Sequence, residues 1–122
     1  MPPRSHMKKV ERPLYEIDQT IQRKKRLVTR KPVFTEVSRT GFRDPNEMAH
    51  LVSHPNAKHP DHYSVVLKTT FYNRNKNKNL SKLKQVAAHE LAHIVVPHQH
   101  NQKFKQTARK LGAGKYTDTG RG

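Results

Sequence analysis

Residues 87–104, AAHELAHIVVPHQHNQKF, place four histidines and one glutamate in eighteen positions of a chain that has no cysteine. On an α-helix, residues i and i+4 lie about 40° apart and one turn removed, so His89 and His93 project side by side and can grip one tetrahedral ion. Glu90 stands next to that pair, placed to take a proton from an activated water without being a ligand itself. HELAH is an instance of HExxH, and its context strengthens it: Ala87, Ala88, Leu91, Ala92 and Ile94 suit a helix buried on one face. The plainer alternative, a solvated helix that exposes two histidines, does not account for that apolar flank.

A catalytic zinc needs a third protein ligand and an open fourth position. Without cysteine there is no thiol nucleophile, no disulfide framework and no thiolate ligand, so a metal must use His, Asp or Glu. Downstream of His93 the only carboxylate is Asp118, in a tail with no core-forming pattern, which leaves His98 and His100. Pro97 ends the helix, and the turn after it can bring the start of the next helix back toward the ion. His100 opens that helix, and Phe104, four residues on, can pack beneath it.

HELAHIVVPHQHNQKF resembles the active-site segment of the SprT-like (Spartan-type) zinc metalloproteases: HExxH, a short turn, then a third His followed four residues later by an aromatic. The resemblance is sharp over residues 80–112 and only architectural upstream. It implies that His89, His93 and His100 are zinc ligands, that Glu90 is the general base and that Phe104 is structural, and it favours His100 over His98. It also implies an α+β fold of minimal zincin type, with an N-terminal helix, a small β-sheet, the HExxH helix and a third-ligand helix. An exposed sheet edge would hold the extended protein substrate, and DNA binding would bring the protease to proteins on DNA. The cysteine-rich zinc ribbon that many relatives carry is missing, as in the small stand-alone versions that phages and other mobile elements encode. Such an origin would place the protein in the host cytoplasm or nucleoid.

In chemical terms, zinc held by three imidazoles brings the pKa of a bound water to roughly 7, and Glu90 accepts the proton as that water attacks a peptide carbonyl. A second donor to the carbonyl oxygen is commonly needed, and Tyr63, Tyr72, Tyr116 and His98 are all candidates.

The elements that must position these groups follow from periodicity. PLYEIDQTIQRKKRLV, residues 13–28, has Pro13 in its first turn, Leu14, Ile17, Ile21 and Val28 near one face, acids early and bases late, which predicts an amphipathic helix. PVFTEVSRT alternates Val33, Thr35 and Val37 with Phe34, Glu36 and Ser38, and HYSVVLKTTFY is rich in β-branched and aromatic residues; both are expected as strands and as possible substrate edges. Gly41, Pro45, Pro55 and Pro60 break the intervening stretch into a long connection with one helical turn around residues 46–51. Its histidines, His50, His54 and His59, and the nearby His62 have no ligand-like spacing and are expected as solvated loop residues. Asn79 or Ser81 can cap a helix from Leu80 to Val96, and NQKFKQTARKLGAG predicts another, with Phe104, Ala108 and Leu111 inward and Gly112 as terminator.

With 122 residues, 32% apolar and 7% aromatic, the chain supports one small domain, expected over residues 13–113 between a flexible segment at 1–12 and a flexible tail at 114–122. The opening MPPRSHM is either native or a cloning remnant, and His6 is left out of the site for that reason. No segment approaches the roughly 20 apolar residues of a membrane span and no apolar run follows the basic start, so a cytoplasmic monomer is expected. Lys and Arg number 25 against 9 acids, a formal charge of +16 that calls for a polyanion. RKKR and RNKNKN, with Lys82, Lys84, Lys103, Lys105, Arg109 and Lys110, therefore predict non-specific DNA contact through phosphates. A rival reading is a basic nucleic-acid-binding protein whose histidine site is structural and silent. A weaker rival is a metallohydrolase acting on a bond other than a peptide.

Overall fold

The computed structural model describes residues 11–55 and 61–117, and within them the chain is α+β, with four α-helices and one three-stranded sheet. Helix α1 spans Arg12–Lys24 and carries Pro13 in its first turn, where the missing N–H would have no intrahelical partner. Its inward residues are Ile17, Thr20 and Ile21, and a 3₁₀ turn over Lys25–Leu27 ends it before Val28.

Strands β1 (Val33–Ser38), β2 (Ala49–His54) and β3 (His62–Lys68) form the sheet in the order β1-β3-β2. β3 runs parallel to β1 and antiparallel to β2. Because side chains alternate, the register puts Val33, Ala49, Val65 and Leu67 on one face, where all four join the core beneath the helices. α1 holds β1 through side chains: Gln22 donates to the Val33 carbonyl at 2.7 Å, and the Thr35 hydroxyl donates to Asp18 at 2.8 Å.

No helix forms over residues 46–51: a turn closed by Glu47 N–H on the Asp44 carbonyl leads through Met48 into β2, which begins at Ala49. Ala49, Leu51 and Ser53 alternate with His50, Val52 and His54, and pairing with β3 fixes that alternation where local propensity did not. The strand expected through Tyr72 stops at Lys68, and helix α2 (Thr69–Asn75) follows, turning Phe71 and Tyr72 into the core. His50, His54 and His62 lie on the sheet face away from Val65 and Leu67 rather than in solvated loops. His54 stacks on His62 with centroids 4.3 Å apart, and Ser64 bonds His54 Nε2 at 3.2 Å. His59 lies outside the described residues.

Helix α3 (Leu80–Ala92) is capped by Asn79, whose side chain accepts from Lys82 N–H. It packs against α1, β2 and β3 and carries Leu83, Val86, Ala87, Ala88 and Leu91 into the core. The helix ends at Ala92, with His93 as C-cap, rather than at Val96. Turns from Ile94, Val95 and Val96 back to Leu91 and Ala92 bridge the gap to Pro97, which disfavours helical backbone just before itself. Helix α4 (Gln102–Leu111) starts on Asn101, which accepts from Phe104 N–H at 3.0 Å, so His100 precedes the helix instead of opening it. Gly112, at φ 83°, supplies the left-handed residue that closes α4, and Lys24 Nζ donates to the Leu111 carbonyl exposed there. Gly114–Tyr116 forms a 3₁₀ turn that buries Tyr116, so this part of the tail belongs to the packed body.

Leu67 is fully buried at the centre of the sheet, and Leu67→Ala is expected to lower unfolding free energy by about 2–5 kcal/mol. Leu27→Ala, at a residue 67% exposed, should change it by less than about 0.5 kcal/mol. Urea denaturation of both variants checks the pair.

Candidate metal centre

α3 delivers His89, Glu90 and His93 from its last turn, and the loop after Pro97 returns His100 to the same point. One ring nitrogen from each of the three histidines lies within 4.8 Å of the others, close enough for all three to bind one ion. Ring centroids stand 5.0 Å apart for His89 and His93, 5.2 Å for His89 and His100, and 4.9 Å for His93 and His100. His89 and His93 are buried and His100 is half-buried. His98 takes no part: it is exposed, sits at φ 60° and points the chain through the turn that brings His100 home.

Backbone carbonyls set the orientation of the two helical imidazoles. His89 Nδ1 lies 2.8 Å from the Tyr116 carbonyl oxygen, and His93 Nδ1 lies 3.0 Å from that of Val96. A carbonyl only accepts, so each Nδ1 carries the proton and each Nε2 carries the lone pair that a metal requires. The early end of α3 is what brings the Val96 carbonyl within reach of His93.

Phe104, fully buried, forms the floor. Its ring centroid lies 4.9 Å from that of His89, 4.5 Å from His93 and 4.8 Å from His100, so one side chain of α4 braces all three imidazoles. The donor set, three imidazoles with the outer nitrogens of two committed to backbone and no thiolate, suits a metal ion that accepts nitrogen ligands.

Glu90 is 2% exposed beside the triad, and its carboxyl is pushed up to about 8, first by burial and then by the negative charge of Glu47. A dication at the imidazoles would favour its ionised form by opposite-charge attraction.

Glu90, His93 and His100 line an open cleft of about 730 Å³, together with Ile94, Pro97, His98 and Tyr63. The opposite wall is Gly41, Arg43, Glu47 and four consecutive residues of β2, His50 to Ser53. Side chains alternate along a strand, so four in a row can border one cleft only if the strand presents its edge to it. β3 is the central strand, and β1 lies on the far side of it, so neither strand expected as a substrate edge borders the cleft as an edge; β2, which the sequence did not signal as a strand, does. Glu47 and His50 also enter the site from this connection. Of the aromatic candidates for a second oxygen-binding group, Tyr63 and His98 line the cleft. Tyr72 is bound to Glu11 at 3.2 Å and held at a pKa of about 12 by burial and that carboxylate's charge, while Tyr116 is buried behind His89.

Comparison of the chain with protein-family models, with curated proteins and with solved structures finds no match. The chemistry of the site therefore rests on its own geometry.

Deleting residues 114–122 removes the carbonyl that orients His89, and zinc affinity is expected to fall about 10- to 100-fold. Tyr116→Phe keeps that carbonyl and should retain the parent's affinity. Competition with a chromogenic chelator measures both.

Proposed function

We propose that the chain is a zinc-dependent endopeptidase of the SprT-like, minimal zincin type, acting on proteins at or near DNA. The observation that carries this reading is the convergence of three imidazoles, with Glu90 buried beside them, at the base of a cleft walled by a strand edge. Bound by His89, His93 and His100, zinc would supply Lewis-acid activation of a water molecule and of the substrate carbonyl.

The protein's own groups do the rest. An extended peptide adds to the edge of β2, whose backbone groups offer hydrogen bonds to any sequence, and this orients a scissile carbonyl toward the base of the cleft. Glu90 accepts the proton released as water attacks the carbonyl carbon. It then returns that proton to the departing nitrogen as the C–N bond breaks, leaving a new carboxylate and a new amine. Glu90 needs no ligand role for this.

The charge of +16 supports the placement near DNA. Lys103, Arg109 and Lys110 stand exposed on α4, outside the cleft, where phosphate contact would leave the β2 edge open to a protein substrate. No helix among the described residues is long and apolar enough to cross a membrane. The competing reading, a nucleic-acid-binding protein with a silent histidine site, draws on the same charge but assigns no role to a buried Glu90 or to the cleft.

Glu90→Gln separates the two: casein hydrolysis should fall by roughly 10²–10⁴ while zinc content is retained. Absence of hydrolysis by the zinc-loaded parent would favour the binding-protein reading. Retention on single- and double-stranded DNA should fall at least about tenfold between roughly 50 and 200 mM salt, and affinity indifferent to salt would remove the phosphate contact from the account.

A further inference from the structure

The cleft holds a carboxylate that the proposed hydrolysis does not use. Glu47 stands on the wall opposite His93 and His100, just before β2, with its side chain 18% exposed. One oxygen accepts from Arg43 N–H at 3.2 Å, and the same oxygen lies 3.9 Å from His50 Nδ1, on a ring that carries charge only when protonated. In a chain with 25 lysines and arginines and nine acids, none of the described lysines or arginines forms an ion pair with Glu47. Arg43 is the one residue with a permanently cationic side chain that lines the cleft, and it gives Glu47 its backbone N–H without an ion pair. Withdrawing a carboxylate from water without a countercharge is costly, so this wall is built to receive a cation from outside. The negative charge of Glu47 also acts on the Glu90 carboxyl, which puts it close to the point where a peptide would be cut.

We propose that Glu47 selects substrates with a lysine or arginine beside the scissile bond, its carboxylate receiving the incoming ammonium or guanidinium. The assignment rests on the peptidase reading and adds the substrate class that reading leaves open. Backbone pairing along β2 accepts any sequence, so selectivity has to come from side chains that reach the walls. Leu51, Val52, Ile94 and Pro97 offer those walls only apolar contact, and Glu47 is the fixed anion among them that the chemistry leaves unused. The surplus positive charge of the chain does not oppose this, because at physiological salt it is screened beyond about 8 Å, whereas a carboxylate in contact is not. Arg43 N–H holds the carboxylate in place before the substrate arrives, which lowers the ordering cost of binding. Glu47 is thus a specificity-determining residue and takes no part in breaking the bond.

The test uses a pseudopeptide, acetyl-lysyl-lysine amide with a phosphinic group in place of the central amide, which ligates the metal and puts a side chain on each side of it. A second form has both lysines Nε-acetylated and so lacks their charge. By titration calorimetry on the zinc-loaded full chain, the parent should bind the lysyl form about tenfold more tightly than the acetylated form. Glu47→Gln should bring the two within about twofold, and Glu47→Asp, which keeps the charge, should keep part of the preference. Loss of the Glu47 charge also changes the field at Glu90, but that acts on both compounds alike, so the ratio of affinities reports the ammonium contact. A parent that binds the two forms equally overturns the assignment. So does a Glu47→Gln variant that keeps the preference, with or without a lower thermal midpoint, since a purely structural Glu47 would leave the ratio unchanged. A parent that prefers the lysyl form through Glu47 and cleaves no casein counts against the peptidase reading alone. A parent that binds neither form overturns both.

Discussion

The packing of Phe104 beneath three imidazoles is the contact on which the rest of the molecule depends. A small core has little apolar surface to spare, yet this one contains His89, Glu90 and His93 at 8% exposure or less. Buried polar groups are tolerated only when they are bonded, and the rings achieve this by donating to the Tyr116 and Val96 carbonyls. Those two bonds constrain distant parts of the chain: the tail must return to α3, and α3 must end early enough to turn a carbonyl back on its own histidine. Phe104 in turn fixes α4 against the triad, and the Asn101 cap and Gly112 set where that helix begins and stops.

The sheet answers a different demand. It must cover α1 and α3 on one face and leave an edge beside the histidines. β1 is tied to α1 by Gln22 and Asp18, β3 is central, and only β2 has an edge left for the cleft. The same strand carries His50 and follows Glu47, so one short segment supplies both a wall and polar groups.

Much of this was legible in the sequence where periodicity and punctuation agree. The 3.6-residue pattern of α1, the Asn79 cap of α3, the Gly112 stop of α4 and the alternation of Val33, Thr35 and Val37 each specify their element locally. The i, i+4 spacing of His89 and His93 likewise depends on helix geometry alone. What was not legible depends on partners. The alternation in β2 is short, lies between Pro45 and Pro55 and includes two histidines, and it becomes a strand because Val65 and Leu67 lie opposite. The Thr69–Asn75 stretch has β-forming residues, but turning Phe71 and Tyr72 inward requires a helix. The carbonyls that orient His89 and His93 carry no side-chain signature at all, and Tyr116 looks like tail until its backbone is seen to close the site.

The proposed activity requires the three imidazoles to act as one ligand set. The most direct measurement is zinc stoichiometry by plasma emission, with the nitrogen coordination number from X-ray absorption, on the purified parent and on His100→Ala. One zinc per chain with three nitrogen neighbours is expected in the parent, and at least a hundredfold loss of affinity, about 3 kcal/mol, in the variant. A parent that binds no zinc at micromolar concentration, or a variant that binds it as tightly with the same coordination, would contradict it.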